Sequence, residues 1–245
     1  QLVNIDILVN NAAGARMKLP SQATLEDRNF MFDLNVNAPV DLAQQAIRSM
    51  RARGGGGGEA QGETQGETQG EGGGWILNIS SATSFQPELP YRDSQTAALV
   101  IGPSGATKAA LDRYTLALAH EVAEDEIFVN ALAPTAGTRM TEGLIPEKAF
   151  DLLTPETVTP AVLFLVSDDA PTRTILCAGA GAYAVAKIVE TDGAWLPEAE
   201  QTPEGIAASW DAITATEGET VPQAGFEQTV KFTGKAAAGL GVDLS

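Results

Sequence analysis

The sequence predicts an α/β protein built on a doubly wound parallel sheet. Three observations carry this prediction: short apolar runs without the in–out alternation of a half-exposed strand, stretches of helical periodicity between them, and small polar residues where each run stops.

The first run is IDILVNNAA (5–13), where Ile5, Ile7, Leu8 and Val9 read as a strand buried on both faces that ends in amides. Thr24-Leu-Glu-Asp27 then fits a helix capping box, and Val40, Ala43, Ile47 and Met50 fall on one helical face. WILNISS (75–81) is a second buried strand ending in hydroxyls. A helix from about Ala106 follows, with Leu111, Tyr114, Leu118 and Val122 on one side. IFVNALAP (127–134) is a third strand. Thr159-Pro160 reads as the start of a helix through Val166, with threonine as cap and proline in the first turn. TILCAGAGAYAVAKIVE (174–190) supplies a last strand and a small-residue turn. Ligands of such sheets bind beyond the carboxyl ends of the strands, so Asn10, Asn11, Ser80, Ser81 and the segment after Ala133 mark the candidate site.

Between the second helix and the second strand lies GGGGGEAQGETQGETQGEGGG (54–74), with a repeated GETQ and no apolar residue larger than alanine. Its glycine content makes order costly, so it reads as a disordered surface insert. No strand precedes these glycines to build a phosphate cradle.

Composition narrows the function classes. The 245 residues allow one large domain or two small ones, and no apolar run approaches the ~20 residues of a membrane span. With 15 Lys+Arg against 32 Asp+Glu, the net charge of −17 repels nucleic-acid backbones and anionic membranes. The single cysteine, Cys177, cannot form an internal disulfide and reads as a small strand residue, which fits a reducing, cytoplasmic setting. His120 sits late on a helix without a metal-ligand pattern around it.

The strand ends carry a recognisable vocabulary in a fixed order. NNAA (10–13), Asn35 in DLNVNAP, Ser81 in NISS, Lys108 in GATKAAL and the loop NALAPTAGTRMT together resemble the short-chain dehydrogenase/reductase family. APTAGTRMTEGLIPE, TPETVTPAVLFLVSDDA, ILCAGAGAYAVAKIVETDGAW and TPEGIAASWDAI are similar to the (3R)-hydroxyacyl-CoA dehydrogenase unit of peroxisomal multifunctional enzyme type 2 and its bacterial relatives. The resemblance implies a Rossmann-like domain over residues 1–196, a helical extension over 197–245, a homo-oligomer, and NAD or NADP as cofactor. It implies oxidation of a hydroxyl or reduction of a ketone on a small molecule, with a 3-hydroxyacyl-CoA as the substrate type. Ser81 would bond the substrate oxygen, Lys108 would bind the nicotinamide ribose and tune an acid, and Asn35 would hold a relay water. Asn10, Ala12, Lys108, Pro134 and Thr138 would line the cofactor.

Two departures from that pattern are expected to matter. The family's opening strand, glycine-rich turn and helix, which hold the cofactor pyrophosphate, have no counterpart here, so the chain reads as N-terminally truncated at the family's fourth strand. Gly179-Ala-Gly181 does not replace that turn and reads as tight packing after a strand. Ser104 stands four residues before Lys108, where the family has its catalytic tyrosine. A serine hydroxyl is shorter and far less acidic than a phenol whose pKa near ~10 is lowered by an adjacent lysine. Tyr114 lies six residues beyond Lys108, on another side of the helix, whereas Tyr91 lies in the irregular stretch before Ser104 and is the alternative proton donor. Ser104 thus leaves two readings, an oxidoreductase and a non-catalytic homologue acting as a binding or assembly subunit.

Overall fold

Four parallel strands and an antiparallel fifth form one sheet in the order β1-β2-β3-β4-β5, with β1 spanning Ile7–Asn10, β2 Gly74–Ile79, β3 Ile127–Pro134, β4 Ile175–Gly179 and β5 Ala182–Ala186. The structure, a computed structural model, describes residues 4–16, 18, 20–54, 73–85, 102–138 and 146–244. Most of the 54–74 insert and Tyr91 lie outside the described residues.

The helices between the strands are α1 (Leu25–Phe32), α2 (Ala38–Gly54), α3 (Gly102–Glu121), α4 (Glu147–Phe150) and α5 (Thr159–Leu165). The expected capping box is present: Thr24 Oγ1 accepts from the Asp27 N–H at 3.2 Å, and the Asp27 carboxylate accepts from the Thr24 N–H at 3.0 Å. α1 runs into α2 through a π-helical turn, Asp33–Asn37.

Apolar side chains alternate across the sheet and bury two cores. On one face Ala43, Ile47 and Met50 of α2, Leu118 and Ala119 of α3 and Val122 just beyond it pack over Ile76, Ile127 and Val129. On the other, Val158, Ala161 and Leu165 pack over Leu77, Leu132 and Ala178. Helices on both faces make the sheet doubly wound, as the sequence predicts.

The structure corrects three details. β1 is not buried on both faces: Leu8 packs under the first core, but Ile7 and Val9 are 45% and 41% exposed, and among the described residues the α5 layer covers β2, β3 and β4. Thr159 is the first residue of α5, whose cap is Val158 without a side-chain bond; Pro160 does sit in the first turn, where its missing N–H costs nothing. The last strand is one arm of a hairpin: β4 and β5 are antiparallel and joined by Ala180-Gly181, both at positive φ (50° and 75°), the geometry of a tight primed turn. A Cβ on Gly179 would come within 2.6 Å of the Thr135 carbonyl, so that glycine serves close backbone packing.

The contacts divide the chain into two units, Gln1–Ala186 and Lys187–Ser245. The second unit contains α6 (Pro203–Ala208), capped by Thr202 on the Gly205 N–H, α7 (Trp210–Ile213) and α8 (Phe226–Leu240). Lys231 pairs with Glu190, and Lys235 with Asp192 at 2.7 Å.

Candidate functional site

Because β1 to β4 are parallel and pair in register, their carboxyl ends share one edge: Asn10 lies beside Asn78, Ile79 beside Leu132, and Pro134 beside Ala178. Helix α3 crosses this edge. It comes close because Gly105 carries no side chain; a Cβ there would lie 2.8 Å from the carbonyl oxygen of Thr83. Thr83 belongs to the 3-10 turn Ala82–Ser84 that follows β2 and is capped by Ser81. The turn carrying Ser81 and the helix carrying Ser104 and Lys108 are therefore in contact.

Each candidate side chain has a definite setting. Ser81 is half-buried; its Oγ accepts from the Thr83 hydroxyl at 3.0 Å and from the Thr83 N–H at 3.3 Å. Ser104 is buried, and its carbonyl accepts from Thr107 Oγ1 at 2.7 Å. Lys108 is also buried, and its ammonium donates to the Ile79 carbonyl at 2.6 Å. Burial pushes the Lys108 pKa down, and the negative charge of Asp112 pulls it partly back. With one described acceptor for three N–H bonds, Lys108 keeps donor capacity at the strand edge.

Asn35 lies inside the π turn and is buried. Its amide donates to the Gly14 carbonyl (2.8 Å) and to Thr107 Oγ1 (2.9 Å), while its Oδ1 accepts from the Gly14 N–H (2.9 Å). Only one Oδ1 lone pair and the backbone of the turn remain for a water. Asn10 is buried and donates to Asn78 Oδ1 at 2.8 Å; its own Oδ1 has no partner among the described residues. Asn11, Ala12 and Thr138 are exposed and Pro134 is half-buried. Tyr114 packs against the first core, and burial raises its pKa, as expected of a packing residue. His120 is exposed in the last turn of α3. Cys177 lies in β4 as a half-buried free thiol whose pKa burial raises. Among the described residues no cluster of His, Cys, Asp or Glu could hold a metal.

Sequence reasoning missed Asp112. It is 5% exposed, lies one helical turn beyond Lys108, and accepts from Ser84 Oγ at 2.5 Å. Burial raises its pKa, while Ser80, Ser84 and Lys108 oppose that shift. Ser80 Oγ faces the same carboxylate, yet neither Ser80 Oγ nor Asp112 Oδ1 makes a hydrogen bond of normal geometry. The two are electrostatic neighbours without a formed bond. The i, i+4 spacing from Lys108 was the available signal, since it puts both charges on one helix face.

The residues present fit one end of a nicotinamide dinucleotide. Lys108 can donate to a ribose hydroxyl at the strand edge, where Pro134 ends β3 and Thr138 lies in the segment after it. Among the described residues no glycine turn joins a strand to a helix N-terminus where pyrophosphate could sit, so that end has no counterpart.

A hydroxyl turn and a buried lysine thus meet at the carboxyl edge of a doubly wound sheet, the place where sheets of this kind bind their ligands. The family model described as short chain dehydrogenase matches residues 1–58. Over 124 residues the chain is 35% identical to a short-chain type dehydrogenase/reductase of Mycobacterium tuberculosis, covering 50% of this chain and 42% of that protein. It is 27% identical over 228 residues to mouse peroxisomal multifunctional enzyme type 2, covering 92% of this chain and 27% of that protein. The fold matches the full-length peroxisomal multifunctional enzyme type 2 of Drosophila melanogaster (TM-score 0.71, 20% identity, 95% of this chain and 38% of that one). It also matches a short chain dehydrogenase of Mycobacterium avium (TM-score 0.64, 24% identity, 91% of this chain and 68% of that one). Its first 58 residues match the short-chain dehydrogenase family, and the proteins it is similar to include peroxisomal multifunctional enzymes and other short-chain dehydrogenases. It spans less than half the length of the two curated relatives named here. No described helix is long and apolar enough to cross a membrane.

Proposed function

We propose that this chain acts as an NAD(P)-dependent oxidoreductase that interconverts a hydroxyl and a ketone, acting on a 3-hydroxyacyl-CoA in a cytoplasmic homo-oligomer. The observation that carries the reading is the contact of the Ser81 turn with α3, which brings that turn and Lys108 to one strand edge. In this reading Ser81 donates to the substrate oxygen, and Lys108 binds the nicotinamide ribose. Asn35 holds a relay water through its remaining lone pair or the π turn, and Asn10, Ala12, Pro134 and Thr138 line the cofactor. The cofactor supplies hydride chemistry when bound. The chain's own groups orient the carbonyl and move the proton. Similarity to the multifunctional enzymes supports the acyl-CoA substrate class.

Ser104 favours a second reading, a homologue that binds without turning over. It stands where the acid belongs, and a missing positioned acid costs 10² to 10⁴-fold in rate.

The discriminating experiment uses a polypeptide that also carries a strand–glycine turn–helix cradle ahead of β1, and follows nicotinamide absorbance with a 3-hydroxyacyl-CoA. Ser104→Tyr should raise turnover on the order of 10²-fold or more, and Lys108→Ala in that background should remove the gain. An unchanged rate in a folded, cofactor-binding protein rejects the simple oxidoreductase reading. Tyr91→Phe then separates a displaced tyrosine, whose loss abolishes activity, from a protein inactive throughout.

A further inference from the structure

The buried carboxylate of Asp112 has no role in the family pattern carried over above, and its surroundings give it one. Two hydroxyls of the turn that bears Ser81 face it: Ser84 Oγ donates to Oδ2 at 2.5 Å, and Ser80 Oγ lies buried beside it without another described partner. On its own helix, Lys108 precedes it by one turn. Ser80 and Ser84 bracket Ser81, so one side chain touches both flanks of the turn and the helix of the lysine.

We propose that Asp112 is a positioning residue of this site: its carboxylate clamps the Ser80–Ser84 turn to α3 one helical turn from Lys108, setting the Ser81 hydroxyl and the Lys108 donors on the same edge. This rests on the oxidoreductase reading only for what the edge is used for; the clamp itself is a property of the chain. A buried carboxylate opposite an amide or a hydroxyl alone would be a poor choice, since burying charge is costly without a partner. One helical turn from a buried lysine, its charge offsets part of the burial cost of both groups. β2 and its following turn contribute hydroxyls and backbone to the pocket. β3 contributes the apolar Ala131 and Ala133 to the neighbouring core, β4 contributes the Cys177 thiol, which feels the Asp112 charge, and the π turn contributes the neutral Asn35 through Thr107. Lys108 is the one cation described as interacting with Asp112.

The test needs no turnover, so an inactive chain leaves it intact. Asp112→Ala, Asp112→Asn and Asp112→Glu are compared with the wild-type chain by hydrogen exchange of peptides covering residues 80–85. The same proteins undergo competitive acetylation of lysines across pH, read by mass spectrometry at Lys108. Asp112→Ala should speed exchange in 80–85 by about tenfold, the loss of one buried hydrogen bond, while peptides of β3 stay near wild type. Asp112→Asn keeps an acceptor for Ser84 but removes the charge, so it should leave 80–85 close to wild type and raise Lys108 acetylation several-fold near neutral pH, because less ammonium survives. Asp112→Glu should restore the Lys108 profile in large part. An unchanged Lys108 profile in Asp112→Asn overturns the proposal, as does unchanged exchange in a folded Asp112→Ala. If Asp112→Ala does not fold, the Asn variant decides through Lys108. Loss of cooperative unfolding in both would also overturn the proposal, since the residue would then serve the whole unit and not this edge.

Discussion

Two neighbouring groups of buried polar side chains under α3 are built on opposite rules. In the first, Asn10 donates to Asn78, Asn78 donates to Thr115 Oγ1 at 2.9 Å, and Thr115 donates to the Leu111 carbonyl at 2.8 Å. All are neutral, and the chain crosses from β1 through β2 to the helix. In the second, just beyond the end of β2, Ser80, Lys108 and Asp112 bring two opposite charges under the strand edge, and Ser80 Oγ and Asp112 Oδ1 are without described partners, against Asn10 Oδ1 alone in the first. Neutral groups that satisfy one another hold layers together. Charged groups with unspent donors and acceptors keep the capacity to meet a ligand, and they cost stability in doing so. The difference separates a group that holds layers together from one that fits the site proposed above.

The largest effect should come from cutting the neutral chain. Asn78 is fully buried, so Asn78→Ala leaves the Asn10 amide with only its long bond to the Pro39 carbonyl (3.5 Å) and removes the donor to Thr115 at once. Urea unfolding should show a loss of about 3 kcal/mol, with each orphaned buried group costing roughly 1–3 kcal/mol. A loss below ~1 kcal/mol would break the contrast, because the amide chain would then not be holding the layers.

The charged group should reveal itself through pH. Burial raises the folded pKa of Asp112 above its unfolded value, so its contribution to stability is fully present below ~3.9 and is lost as pH rises through the folded value. Asp27 behaves in the opposite sense. Its bonds to Lys18 and Thr24 hold its pKa well below the usual carboxylate range, so its contribution is present above ~3.9 and lost as pH falls. The raw profile mixes the two, whereas the difference between wild type and Asp112→Asn isolates the first. Relative to that variant, wild type should lose stability as pH rises from about 4 toward neutrality, read as a falling urea midpoint. A flat difference would remove the distinction between the charged and neutral groups.

A smaller effect is expected at the far end of α1. Thr24→Ala deletes the capping bond to the Asp27 N–H and should cost about 1 kcal/mol in thermal or urea unfolding. Acetylation of Lys108 should not change. A change there would mean that α1 and the strand edge are coupled more tightly than their separate bonding suggests.

How much of this was legible in the sequence depends on how local each cause is. The capping box spans four residues, and the strand cores are runs of five to eight, so both announce themselves in the chain. The order Asn10, Asn35, Ser81, Lys108 was legible because the resemblance supplied a template. Asp112 was not, because its partner Ser84 is 28 residues away and nothing near it in sequence shows that a turn packs there. The exposure of Ile7 and Val9 was hidden for a related reason: an apolar run shows that a strand can be covered on both faces, not which helices reach it. The π turn at Asp33–Asn37 is closed by the Ala38 N–H on the Asp33 carbonyl, a backbone choice that apolar periodicity does not mark.

The smallest effect should come from the glycine-rich insert. Its ends are held by groups that do not belong to its repeat: Arg53 Nη2 donates to the Gly73 carbonyl at 2.7 Å, and the Gly74 N–H donates to the Glu126 carbonyl at 3.2 Å. Arg53 also pairs with Asp6 beside β1. Gly73 and Gly74 must stay, since both have positive φ and a Cβ on Gly74 would come within 2.5 Å of the Asp6 carbonyl. Between Arg53 and Gly73, however, loop-closure cost changes by only ~0.6 kcal/mol for each doubling of length. Replacing the repeat by a short turn while keeping those three residues should therefore move the thermal midpoint by no more than a few degrees, and upward if the turn closes without strain. A fall of many degrees would show that the GETQ repeat itself contributes contacts. The insert would then join the Asn10–Asn78–Thr115 chain as part of what holds this unit together.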